Sequence, residues 1–199
     1  MTLSRLLLLL AAAGLAWWLL RDPEVRHGPG EVAPDTPVQS DADGTTAIDH
    51  NGYTLTPLAR FELQARVLGR EGYRFDREAD LSPVDLALGW GPMSDEAVLD
   101  QLEITQSGRW YRWRAQRLPV PRRDIQHNSA NMHMIPKDEA VVYALDHVRR
   151  GDVVRLRGYL VEARSPDGWR WRSSLTREDS GAHACELIFV ERLAVVTPR

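Results

Sequence analysis

Three long strand-like stretches, two of them alternating apolar and polar residues, restrict this chain's fold more than any single motif. In LARFELQARVL, Leu58 to Leu68, the side chains of Phe61, Leu63, Ala65 and Val67 point one way, and those of Arg60, Glu62, Gln64 and Arg66 the other. VVRLRGYLVEA sets Val154, Leu156 and Leu160 against Arg155, Arg157 and Glu162, and CELIFVERLAVV, Cys185 to Val196, is the most apolar of the three. A period of two belongs to a half-buried strand. GRWYRWRAQ, Gly108 to Gln116, repeats it with Trp110 and Arg112 on one side and Tyr111 and Trp113 on the other, so one face leaves an aromatic exposed. WRWRSSL follows a Pro166-Asp167-Gly168 turn and sends Trp169 and Trp171 inward; EGYRF, Glu71 to Phe75, is a weaker strand.

Helical signals are fewer. PKDEAVVYALDHVRRGD predicts a helix from about Lys137 to Arg150, with Val141, Leu145 and Val148 on its apolar stripe and Gly151 as its stop. LSPVDLALGWGPMSDEAVLDQLEI predicts two short helices, one capped by Ser82 and one by Ser94, with GWGPM as the tight turn between them and Trp90 as its anchored ring. The expected fold is α+β: a mainly antiparallel sheet, or a small OB-like barrel, with two to three helices and one transmembrane helix ahead of them.

The start of the chain bears on location. Leu6 to Leu20 is an uninterrupted run of 15 apolar or small residues between Arg5 and Arg21. A bilayer span takes about 20 residues, so the run also fits a signal peptide. Trp17 and Trp18 at its end suit a membrane interface, and no well-placed small-residue cleavage site follows. Residues 1–21 are therefore read as a membrane anchor or signal sequence, with residues 3–20 in the bacterial inner membrane, single-pass, and the domain facing the periplasm. Residues 22–50 hold four prolines and many acids, which predicts a disordered linker, with one α+β domain over 51–199.

Charge is unevenly distributed. The chain carries −3 overall, but Leu58 to Glu103 holds 5 basic and 10 acidic residues, and Thr105 to Arg177 holds 15 basic and 7 acidic. Arginines and aromatics interleave in the basic part. Arg112, Arg114, Arg155, Arg157 and Arg170 with Trp113, together with Asn131, are the candidate binding residues. In the envelope this chemistry suits an anionic lipid, a glycan or a partner protein, and nucleic acid is not expected.

HNSANMHMIP, His127 to Pro136, predicts a polar loop that either closes the fold or supplies a site. A cysteine enzyme of the sortase kind, a transpeptidase or hydrolase, orders its groups as a loop His, a Cys opening a late strand and an Arg on that strand. Here these would be His127 or His133, Cys185 and Arg192. The Gly-Ala-His-Ala-Cys stretch departs from the Thr-Leu-x-Thr-Cys of sortases. The same histidines, with His183 and Cys185, could ligate a metal, but their spacing matches no standard zinc pattern, and neither metal nor cofactor is assigned. The lone cysteine excludes an internal disulfide.

DLALGWGPMSD (Asp85 to Asp95), NSANMHMIP (Asn128 to Pro136) and WRSSLTREDSGAHACELIFVE (Trp171 to Glu191) resemble an uncharacterised family of bacterial proteins. Each member joins an N-terminal membrane segment to one envelope domain. The resemblance covers about Tyr53 to Glu191 and implies that architecture, with no activity attached. The expected function is a membrane-tethered envelope binding or assembly domain.

Overall fold

The computed structural model of the protein describes Arg5, residues 24–176 and residues 185–196. The apolar run of residues 6–20 and His183 lie outside the described residues. Among those described, no helix is long and apolar enough to cross a membrane.

Over residues 24–176 and 185–196, ten strands and four short helices follow one another as β1 (Val38–Asp41), β2 (Ile48–His50), β3 (Tyr53–Gly72), α1 (Arg77–Leu81), β4 (Val84–Gly89), α2 (Glu96–Leu99), β5 (Glu103–Ser107), β6 (Trp110–Arg114), α3 (Arg122–His127), β7 (Ser129–Pro136), α4 (Glu139–His147), β8 (Val153–Arg164), β9 (Arg170–Arg172) and β10 (Glu186–Val196). Five of the strands close a ring in the order β3, β4, β7, β10, β8 and back to β3. Every pairing in it is antiparallel except β7 with β10, which is parallel. Closure leaves no open edge among these five strands.

The long strand β3 makes closure possible. It pairs with β8 over its first two thirds and with β4 over its last third. Irregularities between Pro57 and Ala59, and between Val67 and Gly69, let it bend from one partner to the other. Pro57 has no N–H to lose at such a break.

The alternation read from the sequence holds in β3 and β8. Phe61, Leu63, Ala65 and Val67 meet Leu86, Leu88, Met132, Met134, Val154, Leu156, Ile188 and Val190 inside the ring. Helix α4 adds Val141 and Leu145 to this core, as its apolar stripe predicts. Two smaller apolar layers lie outside the ring. One is Leu55, Ile135, Tyr159, Leu187 and Phe189 beneath Trp169 and Trp171. The other is Leu68, Ala87, Met93, Ile104 and Ile125 beneath Tyr111 and Trp113.

The structure corrects several expectations. Val84–Gly89 is a strand, not a helix capped by Ser82: it runs between β3 and β7 with every residue buried. A strand covered on both faces loses its alternation and reads as a plain apolar run. GWGPM accordingly links a strand to a single turn of 3-10 helix, although Trp90 is buried as expected. The next helix is capped by Asp95 rather than Ser94, its carboxylate accepting from Ala97 N–H at 2.8 Å.

The stretch His127 to Pro136 is mostly strand β7, the ring's parallel partner to β10, rather than a polar loop. EGYRF contributes only its first two residues, because β3 ends at Gly72.

Residues 24–50 are not free chain. β1 pairs with β3 from Val38↔Glu62 to Asp41↔Ala59, and β2 forms a hairpin with the start of β3. Ahead of them, a strap of residues 24–33 is hydrogen-bonded to the body of the fold. Val25 N–H donates to Arg150 O at 2.9 Å, Gly91 N–H donates to Ala33 O at 2.8 Å, and Ala33 N–H donates to Ser94 Oγ at 3.1 Å. Composition gave no sign of this, because backbone pairing supplies what apolar side chains do not.

Candidate functional site

Asp85 on β4 and His133 on β7 are directly opposite in the ladder, and Asn131 is two residues earlier on β7. Their neighbours Val84, Leu86, Met132 and Met134 fill the ring, so these three point out of it. All three are buried, Asp85 completely. The cover is the β5–β6 hairpin, a separate two-stranded sheet.

At its turn, Gly108 and Arg109 take φ of +58° and +69°. Two positive φ angles suit the right-handed twist of a two-residue hairpin. They aim Arg109 back at the ring, where its Nη1 donates to Asp85 Oδ1 at 2.9 Å and to Ser82 O at 2.8 Å. The same guanidinium lies 3.8 Å from the Tyr73 ring centre. Asp85 also takes His133 Nδ1 at 2.9 Å and Asn131 Nδ2 at 3.2 Å. Gln106 of β5 donates to Asn131 Oδ1 at 2.8 Å. A carboxylate only accepts, so an ionised Asp85 holds the hydrogen on His133 Nδ1. The result is a buried polar network under the hairpin, centred on Asp85, in which Gln106 Oε1 and Arg109 Nε are left without a hydrogen bond among the described residues. A buried carboxylate at that depth is retained only because each partner supplies a hydrogen bond.

Cys185 sits at the mouth of β10. The β7–β10 register places it beside Asn131 and near Asp85. Burial, with Glu186 and Asp85 adding to it, pushes its thiol up to about 12. That is opposite to what a thiolate nucleophile needs. Arg192 is seven residues farther along the same extended chain, about 23 Å away, and exposed. His127 is exposed at the end of α3, outside the strand that carries His133. The structure thus brings Cys185 and His133 to one region but not His127 or Arg192. Among the described residues, no group of three or more His, Cys, Asp or Glu side chains is placed to hold a metal.

The candidate binding residues separate into two groups. On β8, Arg155 bonds Gln64 at 3.0 Å and Arg157 pairs with Glu62 at 2.8 Å. Arg170 joins Arg164 and Arg172 around Glu162, at 2.6 to 2.7 Å. Burial opposes ionisation of Glu162, but the hydrogen bonds from Arg172, Arg170 and Arg164 overcome it and hold its carboxyl at about 2.

On the hairpin, Trp113 turns inward with Tyr111 onto the apolar layer, and Arg122 lies 5.1 Å from its ring centre. Trp113 and Asn131 are therefore not contact residues of an open surface: one anchors the hairpin and the other is buried beneath it. Trp110, Arg112 and Arg114 form the hairpin's outer face, with Trp110 38% exposed. Among the described residues, Arg112, Arg114 and the following Arg117 have no carboxylate within 4.0 Å, although Glu103 stands opposite Arg114 in the ladder. Arg112 makes only a long contact to Ser107 Oγ, at 3.4 Å.

Sequence reading missed Asp85, the hub of the buried network. Its signal was a lone acid inside an apolar run. It also missed the pair of Arg66 with Glu96, 2.6 Å apart and nearly inaccessible, because Arg66 occupies a position that alternation assigns to solvent.

Comparison with protein-family models, with curated proteins and with solved structures finds no match.

Proposed function

We propose that this chain is a membrane-tethered envelope domain that binds a polyanionic ligand on the outer face of the β5–β6 hairpin. The observation that carries this is the row of Arg112, Arg114 and Arg117, without carboxylate partners among the described residues and set beside the exposed Trp110. Unpaired guanidiniums next to an aromatic face suit phosphate- or carboxylate-rich ligands.

The fold supports a binding role by analogy. The ring order, the parallel β7–β10 pair and helix α4 between β7 and β8 together have the connectivity of an OB-type barrel. Such barrels bind ligands on the outer face of their second and third strands. Here those strands are β4 and β7, and the hairpin covers them. The accessible surface has moved from the barrel wall to the hairpin's back. The inner-membrane, periplasm-facing location belongs to this proposal and rests on the apolar run of residues 6–20. The cysteine-enzyme alternative gains no support from a thiol near 12.

The test uses the full chain in detergent on a resin carrying inorganic polyphosphate, eluted with salt. The whole molecule is acidic, so retention must come from a patch. Wild type is retained, R112E/R114E elutes at clearly lower salt, and R155E/R157E elutes with wild type. Equal shifts in both double variants, or no retention of wild type, would overturn the assignment.

A further inference from the structure

We infer that the hairpin arginines nearest the strap rest on anionic phospholipid headgroups of the bilayer that holds the chain's own apolar segment. This builds on the membrane-tether reading and names the partner.

The argument starts from chain length. The apolar run ends at Leu20 and the strap is fixed from Glu24, four Cα steps on. Four steps span at most about 14 Å. Glu24 pairs with Arg150 at 3.0 Å, and Val25 N–H donates to Arg150 O at 2.9 Å. Arg26 grips both carboxylate oxygens of Asp100, at 2.6 and 2.9 Å. His27 N–H reaches Glu96 at 2.8 Å, and the His27 ring meets Gly151 O at 2.8 Å. Burial disfavours the Glu96 charge, but His27 N–H, Arg66 and Arg26 prevail and hold its carboxyl below the ordinary value. A chain tied at so many points does not act as a 29-residue tether. If residues 6–20 span the bilayer, the strap end of the fold stands on the membrane surface.

The hairpin's base lies at that end. Asp100, which Arg26 grips, lines an open cleft of about 730 Å³ together with Glu103, Arg114 and Arg117. The hairpin's other end, Arg109, reaches Asp85 and Tyr73. The hairpin therefore runs from a membrane-proximal base to a distal tip. Arg26, Arg149 and Arg150 at the proximal end already face Asp100, Asp152 and Glu24. Arg114 and Arg117 are the charges left there without a carboxylate among the described residues, and headgroup phosphates match them. Two arginines at an anionic surface favour contact roughly thirtyfold.

The experiment reconstitutes full-length Q116C and P166C variants into vesicles. Gln116 is exposed beside Arg117, and Pro166 is exposed past the far end of β8, about 35 Å along the strand from Val153. Both variants carry C185A, which removes the half-buried native cysteine, so a fluorescent maleimide at neutral pH reacts with the added thiol alone. Quenching by a headgroup-attached nitroxide lipid is then measured, after an alkaline wash has shown that the protein stays in the vesicles.

The expected result is strong quenching at 116 and little at 166 in phosphatidylglycerol-containing vesicles. Quenching at 116 falls severalfold in phosphatidylcholine alone and in R114E/R117E. Equal quenching at 116 and 166 in a protein that survives the wash overturns the docking alone. Loss of the protein in the wash overturns the membrane tether, and the docking with it.

Discussion

Removing the Asp85 carboxylate would leave the Arg109 guanidinium and the His133 ring facing a buried gap between β4 and the hairpin. Breaking a buried pair by deleting one partner costs about 3–5 kcal/mol. D85A should lose that much stability in chemical denaturation followed by tryptophan fluorescence, while D85N, which keeps one acceptor oxygen, loses less. Equal and small losses would mean that the network is not what holds the hairpin's tip.

Glu162 makes a different prediction at the same scale. Its native carboxyl is held at about 2 against an ordinary 4.5, so its stabilisation is complete above about 4.5 and disappears as pH falls toward 2. E162Q should be less stable than wild type at neutral pH, and the gap should close across that acid window. Parallel stability curves from pH 7 to 2 would count against the three-arginine cradle. Neither residue stood out in the sequence. Asp85 is one acid in an apolar run, and Glu162 sits in a regular polar position. What makes them important is pairing across strands distant in sequence.

Among the elements, strands with one wet face were legible and strands with none were not. β3, β6 and β8 alternate, and the sequence located them; β10, covered on both faces over Glu186 to Val190, was legible instead as a long apolar run. β4 and β7 are buried on both sides, so their patterns mimic a helix and a loop. The strap was illegible for another reason, because backbone hydrogen bonds and ion pairs secure it. Its tightest point is Gly151, at φ +90°, where an added Cβ would fall 1.8 Å from Val25 O. An alanine there is strained in its backbone and blocked by the strap. G151A should free the strap and speed tryptic cleavage after Arg26, roughly fivefold for each 1 kcal/mol of strain it introduces. Unchanged cleavage would mean that the strap is held elsewhere, or opens as readily in wild type.

For the whole molecule, the charge asymmetry seen in the sequence is real but does not form one basic face. The acidic half supplies Glu62, Glu96 and Asp100, which neutralise arginines from the strap, β3 and β8, and Glu162 neutralises others locally. The hairpin keeps the surplus. Sequence counting detects such a surplus, but only the fold shows where it stays uncompensated.

The most direct test is the salt dependence of inorganic polyphosphate binding, followed through the fluorescence of Trp110 and its neighbours. Three arginines acting on a polyanion give log K against log salt a slope of about −2 to −3, at roughly −0.7 to −0.9 per contact. Wild type should show that slope, and R112A/R114A/R117A should lie near zero with most of the affinity gone. A triple variant that keeps the wild-type slope would place the binding surface elsewhere and contradict the account.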